Sequence, residues 1–280
     1  MRSVHYRLAP VALLSAPLAL AAQGLGMPAL SAAASWGARY EIPAGWRSVQ
    51  EVGRLRVLEG PQGSSIYVGP GAYGTTDDGV RDLSASLTAP GMVAQPLGAP
   101  SQTRVAGLSA MSLALQLRDR TGRDLRASDT CVLSPHGIGL NLLVVAAPQQ
   151  LDEARAAADR LLSTLAFRAP VVSQALMQAL AGRWTLYSGS SDRGGSGSIS
   201  TGHDESVDLD GRGRSTWQST SYTSGSVSGT SVTGDSQQSD AGTYSVIGNT
   251  LIFRGRTGQL AIDITYDGHR LSGGGRTFIR

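Results

Sequence analysis

The chain has 280 residues, 41% hydrophobic and 16% charged, which excludes a mostly disordered polypeptide and leaves room for two domains. Two of its 24 basic residues, Arg2 and Arg7, stand in an acid-free N-terminal segment, so the remainder carries 22 basic residues against 21 acids. That near-neutral balance excludes the positive footprint of a nucleic-acid binder, and the absence of lysine excludes a Schiff-base or pyridoxal-type lysine nucleophile.

The chain opens on a secretory pattern. Arg2 and Arg7 precede an apolar, small-residue run over 8–22, broken by Pro10 and Pro17 and too short to span a bilayer. Ala19-Leu20-Ala21 and Ala32-Ala33-Ala34 both have the small-x-small form of a cleavage site. Residues 1–22 are therefore predicted to be a signal peptide, with cleavage as late as 34, and the mature chain to be secreted or periplasmic. No later run of about 18 apolar residues exists, so the mature chain is not expected to span a membrane.

Residues 39–43 read as a strand, and Ala44-Gly45-Trp46 as a turn carrying an aromatic. Over 54–59, Leu55, Val57 and Glu59 share one face, and Gly60-Pro61-Gln62-Gly63 ends that strand with turn chemistry. A third strand follows at 65–69. Thr76 or Asp77 can cap a helix through Val80, Leu83 and Leu87. Residues 89–100 read as a Pro/Gly loop. Met111, Leu113, Leu115 and Leu117 alternate through the next strand, a turn at 119–122 leads into a strand over 124–133, and the nearly continuous apolar run 138–147 predicts a central strand buried on both faces. Pro148 breaks that run. Leu151, Ala154, Ala158, Leu161, Leu162 and Leu165 then recur at helical spacing, with Asp152 and Glu153 suited to the helix start. Cys131 is the sole cysteine, so no intrachain disulfide forms; its strand setting predicts a buried small hydrophobe. This order of elements, with the opening Ile42-Pro43-Ala44-Gly45-Trp46, resembles the PsbP/Mog1-like α/β sandwich over 36–168. The resemblance implies a binding or scaffolding fold with no shared catalytic set.

Ala169-Pro170 marks a boundary, and Leu176 and Leu180 suggest a linker helix within 169–181. From Gly182 the composition shifts to short strands with tight turns at Asp210-Gly211, Gly248-Asn249 and Asp267-Gly268, interrupted by Gly/Ser-rich tracts at 188–200 and 219–239. About eight strands over 182–280 make a small antiparallel barrel or half-barrel. The whole is α+β. Gly182-Arg183-Trp184 resembles the Gly-x-Trp that opens the first strand of lipocalin and calycin barrels. In that family an arginine of the last strand lies across the tryptophan. Arg276, Phe278 and Arg280 share one face here, so the resemblance implies that Gly182, Trp184, Arg276 and Arg280 close the barrel. Only Trp184, Trp217, Tyr222, Tyr244, Phe253, Tyr266 and Phe278 could line an interior, which favours a small or absent cavity.

Catalytic signals are weak. Asp208-x-Asp210-Gly211 has two spaced carboxylates of a calcium loop but not the rest, and a hairpin turn accounts for it. His5, His136, His203 and His269 lack ligand spacing; a zinc site from His203, Glu205 and His269 across a barrel mouth is the weaker reading, so neither metal nor cofactor is expected. No Gly-x-Ser-x-Gly occurs between a strand and a helix. The expected function is a non-catalytic, secreted or periplasmic two-domain binding or scaffolding protein of the cell envelope, its partner a protein or small apolar ligand and not a nucleic acid. The alternatives are an envelope hydrolase using an unrecognised Ser or His136, and a structural protein of envelope assembly.

Overall fold

The structure, a computed structural model, describes residues 36–52, 54–73, 75–85, 93–119, 121–194, 197–227, 230–256 and 258–280. The expected leader, residues 1–22, and both cleavage motifs lie outside the described residues. The chain divides into two compact units after Val171.

The first unit runs β1 (Ala38–Arg39), β2 (Arg47–Val52), β3 (Leu55–Glu59), β4 (Ser65–Gly71), α1 (Thr76–Ala85), β5 (Val93–Pro96), β6 (Ser101–Val105), β7 (Leu108–Arg118), β8 (Asp124–Val132), β9 (Gly139–Ala146), α2 (Leu151–Ser163) and β10 (Ala166–Phe167). One antiparallel sheet has the order β2-β3-β4-β9-β8-β7-β5, with β6 also on β7; β1 and β10 pair separately. The apolar run of β9 sits mid-sheet because both its faces are covered. Leu140, Leu142 and Val144 meet Ala154, Ala157, Ala158, Leu161 and Leu162 of α2. Leu143 and Val145 belong to the opposite core, with Leu113, Leu115, Leu117 and Leu83 of α1. Helices on both faces explain a near-continuous hydrophobic strand in an antiparallel sheet. Truncating Leu161, fully buried at the helix–sheet contact, costs about 2–5 kcal/mol.

Two local expectations change. Of the strand expected at 39–43 only Arg39 pairs, with Ala38 before it, because Pro43 offers no N–H and its carbonyl accepts from Trp46 N at 3.0 Å to make the turn. Within the loop expected at 89–100, Val93–Pro96 pairs with residues 115–118 of β7 as an edge strand, where a terminal proline is tolerated.

The second unit runs α3 (Gln174–Ala179), β11 (Gly182–Gly194), β12 (Gly197–Leu209), β13 (Arg214–Val227), β14 (Thr230–Ile247), β15 (Thr250–Gly255), β16 (Gly258–Tyr266), β17 (Arg270–Gly273) and β18 (Arg276–Ile279). These eight strands form a closed antiparallel barrel in sequence order. The Gly/Ser-rich tracts are not loops around the strands; their described residues are largely strand. The β11–β12 ladder runs without a slip from Gly182↔Leu209 to Gly194↔Gly197, and β13–β14 from Arg214↔Thr243 to Val227↔Thr230. By contrast β14 meets β15 only over 242–247, and β11 meets β18 at Thr185↔Ile279. The far parts of β11–β14 thus continue past the barrel as a four-stranded extension.

Candidate functional site

One end of the barrel is plugged. Trp184 is fully buried among Leu209, Val246, Leu251, Ile264 and Leu271, beside Met177 and Leu180 from the α3 end. The last four carbonyls of a helix have no intrahelical partner. Here the barrel supplies donors to the end of α3 and to the residues just after it: Tyr244 Oη donates to Met177 O at 3.2 Å, Tyr266 Oη to Ala179 O at 3.1 Å, Trp184 Nε1 to Leu180 O at 2.8 Å, and Arg280 Nη2 to Ala181 O. The Arg280 guanidinium lies 4.8 Å from the Trp184 ring centroid, and Tyr266 meets that ring edge-on at 5.8 Å. Gly182 has φ +136°, and an added Cβ would press on the Arg280 guanidinium. The structure therefore brings Gly182, Trp184 and Arg280 together.

Arg276 lies elsewhere. Its Nη1 contacts both carboxylate oxygens of Glu205, at 2.6 and 2.5 Å. The Glu205 side chain is 4% exposed and that of Arg276 45%. Trp217 Nε1 donates to Glu205 Oε1 at 2.5 Å, and His203 Nε2 stands 3.5 Å from Glu205 Oε2. His203 Nδ1 shares a hydrogen bond of 2.9 Å with Ser221 Oγ. Alternation builds the cluster: Leu209, Val207, Glu205 and His203 follow one face of β12, and Ser221 stands opposite His203 on β13. A buried carboxylate needs a cation and hydrogen-bond donors, and Arg276 and the indole supply both.

His269 does not join this cluster. It is exposed in the β16–β17 turn, and its carbonyl accepts from Arg280 N, at the plugged end. Among the described residues no group of three His, Cys, Asp or Glu side chains is arranged to hold a metal. Asp210, the other metal candidate, accepts the backbone N–H groups of Arg212 and Arg214 at 2.7 and 2.8 Å. The Arg214 N–H bond leads in holding its carboxyl below the usual carboxylate range, so turn chemistry accounts for this Asp. His136 is exposed in a turn.

The first unit holds a buried polar network under α1. Tyr73 Oη donates to Asp82 Oδ2 at 2.6 Å; Asn141 Nδ2 donates to Asp129 Oδ1 at 2.8 Å and to Cys131 Sγ at 3.4 Å. Burial, then the neighbouring Asp129 and Asp82, push the Cys131 thiol far up. Burial and Asp82 do the same to Tyr73. A protonated, enclosed thiol is a poor nucleophile.

Neither a family model nor a curated protein matches the chain. Among solved structures, the chain is similar to cyanobacterial PsbP (CyanoP) from Synechocystis sp. PCC 6803, at 16% identity over 48% of this chain and 88% of that one, with a TM-score of 0.35. It is also similar to LpqN of Mycobacterium tuberculosis, described as involved in cell envelope biogenesis, at 17% identity over 46% of this chain and 81% of that one, with a TM-score of 0.36.

Proposed function

We propose that the protein is a non-catalytic binding or scaffolding protein, exported by a leader at 1–22 and working in the periplasm or outside the cell. In this reading residues 36–168 are the first domain and 182–280 the second, with Gly182, Trp184 and Arg280 sealing one barrel end and Arg276 tying down the other. The observation that carries the binding reading is the four-stranded extension. Its strands are fully laddered yet rich in Ser, Thr and Gly, so they add broad polar surface and little core. Such a surface suits recognition. None of the described helices is long and apolar enough to cross a membrane. Native mass spectrometry of the gently purified chain tests the reading: a retained ligand or partner supports it. A bare chain that also captures nothing from cross-linked envelopes sinks it.

A hydrolase is the second reading, favoured by one geometry: Ser221 Oγ, His203 and Glu205 lie in line. Against it, Glu205 is already neutralised by Arg276, and Ser221 sits mid-strand, where its neighbours' backbone N–H groups serve the ladder and not an oxyanion. A serine-hydrolase probe that labels the chain, with labelling lost in Ser221→Ala, would establish this second reading.

A further inference from the structure

The extension carries an aromatic strip on its outward face. The register sets Tyr187, Asp204, Thr220 and Gln237 in one row across β11–β14, and Gly189, Gly202, Tyr222 and Asp235 in the next. Residues in a row stand directly opposite one another, so their side chains share a face. The Tyr222 ring lies flat on Gly202: a Cβ there would collide with Cζ, Cε2 and Oη of the ring. Tyr222 Oη reaches across β12 to donate to Tyr187 Oη at 3.1 Å. Tyr187 leans along its own strand toward Gly189, where an added Cβ would come within 2.9 Å of its hydroxyl. The two rings therefore form one strip across three strands, roughly 10 Å long at the usual strand spacing. Tyr187 is 70% exposed. Glycine weakens a strand interior; here two glycines form the floor on which the rings lie.

Each tyrosine has a carboxylate as a cross-strand neighbour, Asp204 beside Tyr187 and Asp235 beside Tyr222, and both aspartates are exposed. Thr220 and Gln237 complete the row. An exposed aromatic face flanked by acceptors matches the two surfaces of a sugar ring: its C–H face stacks on the phenol and its hydroxyls donate to carboxylates and amide. The two carboxylates disfavour a polyanion and suit hydroxyls or amines. A peptide adding to the sheet edge would use backbone groups and leave the strip unused.

We propose that the Tyr187–Tyr222 strip, with Asp204 and Asp235, binds a neutral or amine-bearing polysaccharide strand. The proposal rests on the binding reading above and names its ligand class. The test is calorimetric titration of the full chain with two probes, the β-1,4-linked tetramers of N-acetylglucosamine and of glucosamine, with heparin as the polyanionic control. Saturable binding of at least one tetramer is expected, about tenfold weaker in Tyr222→Ala and in Tyr187→Ala, as for anchor residues of other interfaces. Gly202→Ala keeps both rings but lifts Tyr222 off its floor, and weakens binding likewise; Tyr222→Phe keeps the ring and stays within about threefold of the parent. Failure of both tetramers, unchanged affinity in the alanine variants, or tighter binding of heparin would overturn the proposal. If the tetramers fail while native mass spectrometry finds another ligand, this site assignment falls and the binding reading stands.

Discussion

Arg276, which opens β18, and Arg280, just past its end, fall in phase on one face, yet they serve the two ends of the barrel by different physics. Arg280 lies over a buried indole and donates to the Ala181 carbonyl just past α3, in a setting of Trp184, Leu180 and Tyr266. Arg276 neutralises a buried carboxylate in a setting of His203, Ser221 and Trp217. The first end is sealed by apolar packing with its hydrogen bonds directed at α3. The second keeps charges and hydroxyls where the strands leave the core. Position along the barrel axis decides which role an inward arginine takes.

The comparison can be broken most forcefully at Trp184. Trp184→Ala removes the largest fully buried side chain and frees the Leu180 carbonyl, and should destabilise the barrel by about 3–5 kcal/mol in urea unfolding. At the other end, Glu205→Ala removes the carboxylate that Arg276 and the Trp217 indole both contact. Because Arg276 is half exposed, the expected loss is smaller than for a fully buried pair, about 2 kcal/mol, with a shift in Trp217 fluorescence. Arg280→Ala should cost about 1 kcal/mol from its cation–π contact. The smallest effect has the opposite sign. Ser215 Oγ is buried with no hydrogen-bond partner, so Ser215→Ala should leave stability unchanged or raise it by up to about 1 kcal/mol.

Alkali should act on the buried network of the first unit. Tyr73 and Cys131 hold their protons in the folded state, while in the unfolded chain they release them near pH 10 and pH 8.5. From about pH 8.5 upward the unfolded state binds fewer protons than the folded one, so stability falls as pH rises until the folded groups titrate. Cys131→Ala should flatten the start of that decline, read by thermal unfolding at pH 8 and 10.

Much of the fold is legible in the sequence because alternation is a physical record of burial. Leu113, Leu115 and Leu117 point to one core, and the nearly continuous run that carries Leu142 and Val144 on one face and Leu143 and Val145 on the other announces two. The Gly/Ser tracts hide their strands, since residues with little to bury leave no alternation; ladder continuity with β12 and β13 keeps them paired. Which arginine meets Trp184 is not legible, because Arg276 and Arg280 share a face and only the Thr185↔Ile279 register chooses. The Glu205 cluster left one signal: a carboxylate in phase with Val207 and Leu209 is a buried charge in need of a cation. Its partner lies 71 residues away, beyond any local pattern.

Double-mutant cycles on the two arginines test the central claim most directly, with unfolding free energy as the readout. Arg280 should couple to Trp184 and be additive with Glu205, while Arg276 should couple to Glu205 and be additive with Trp184. Coupling of Arg276 to Trp184, or additivity of Arg280 with Trp184, would contradict a barrel sealed at one end by an indole and held at the other by an ion pair.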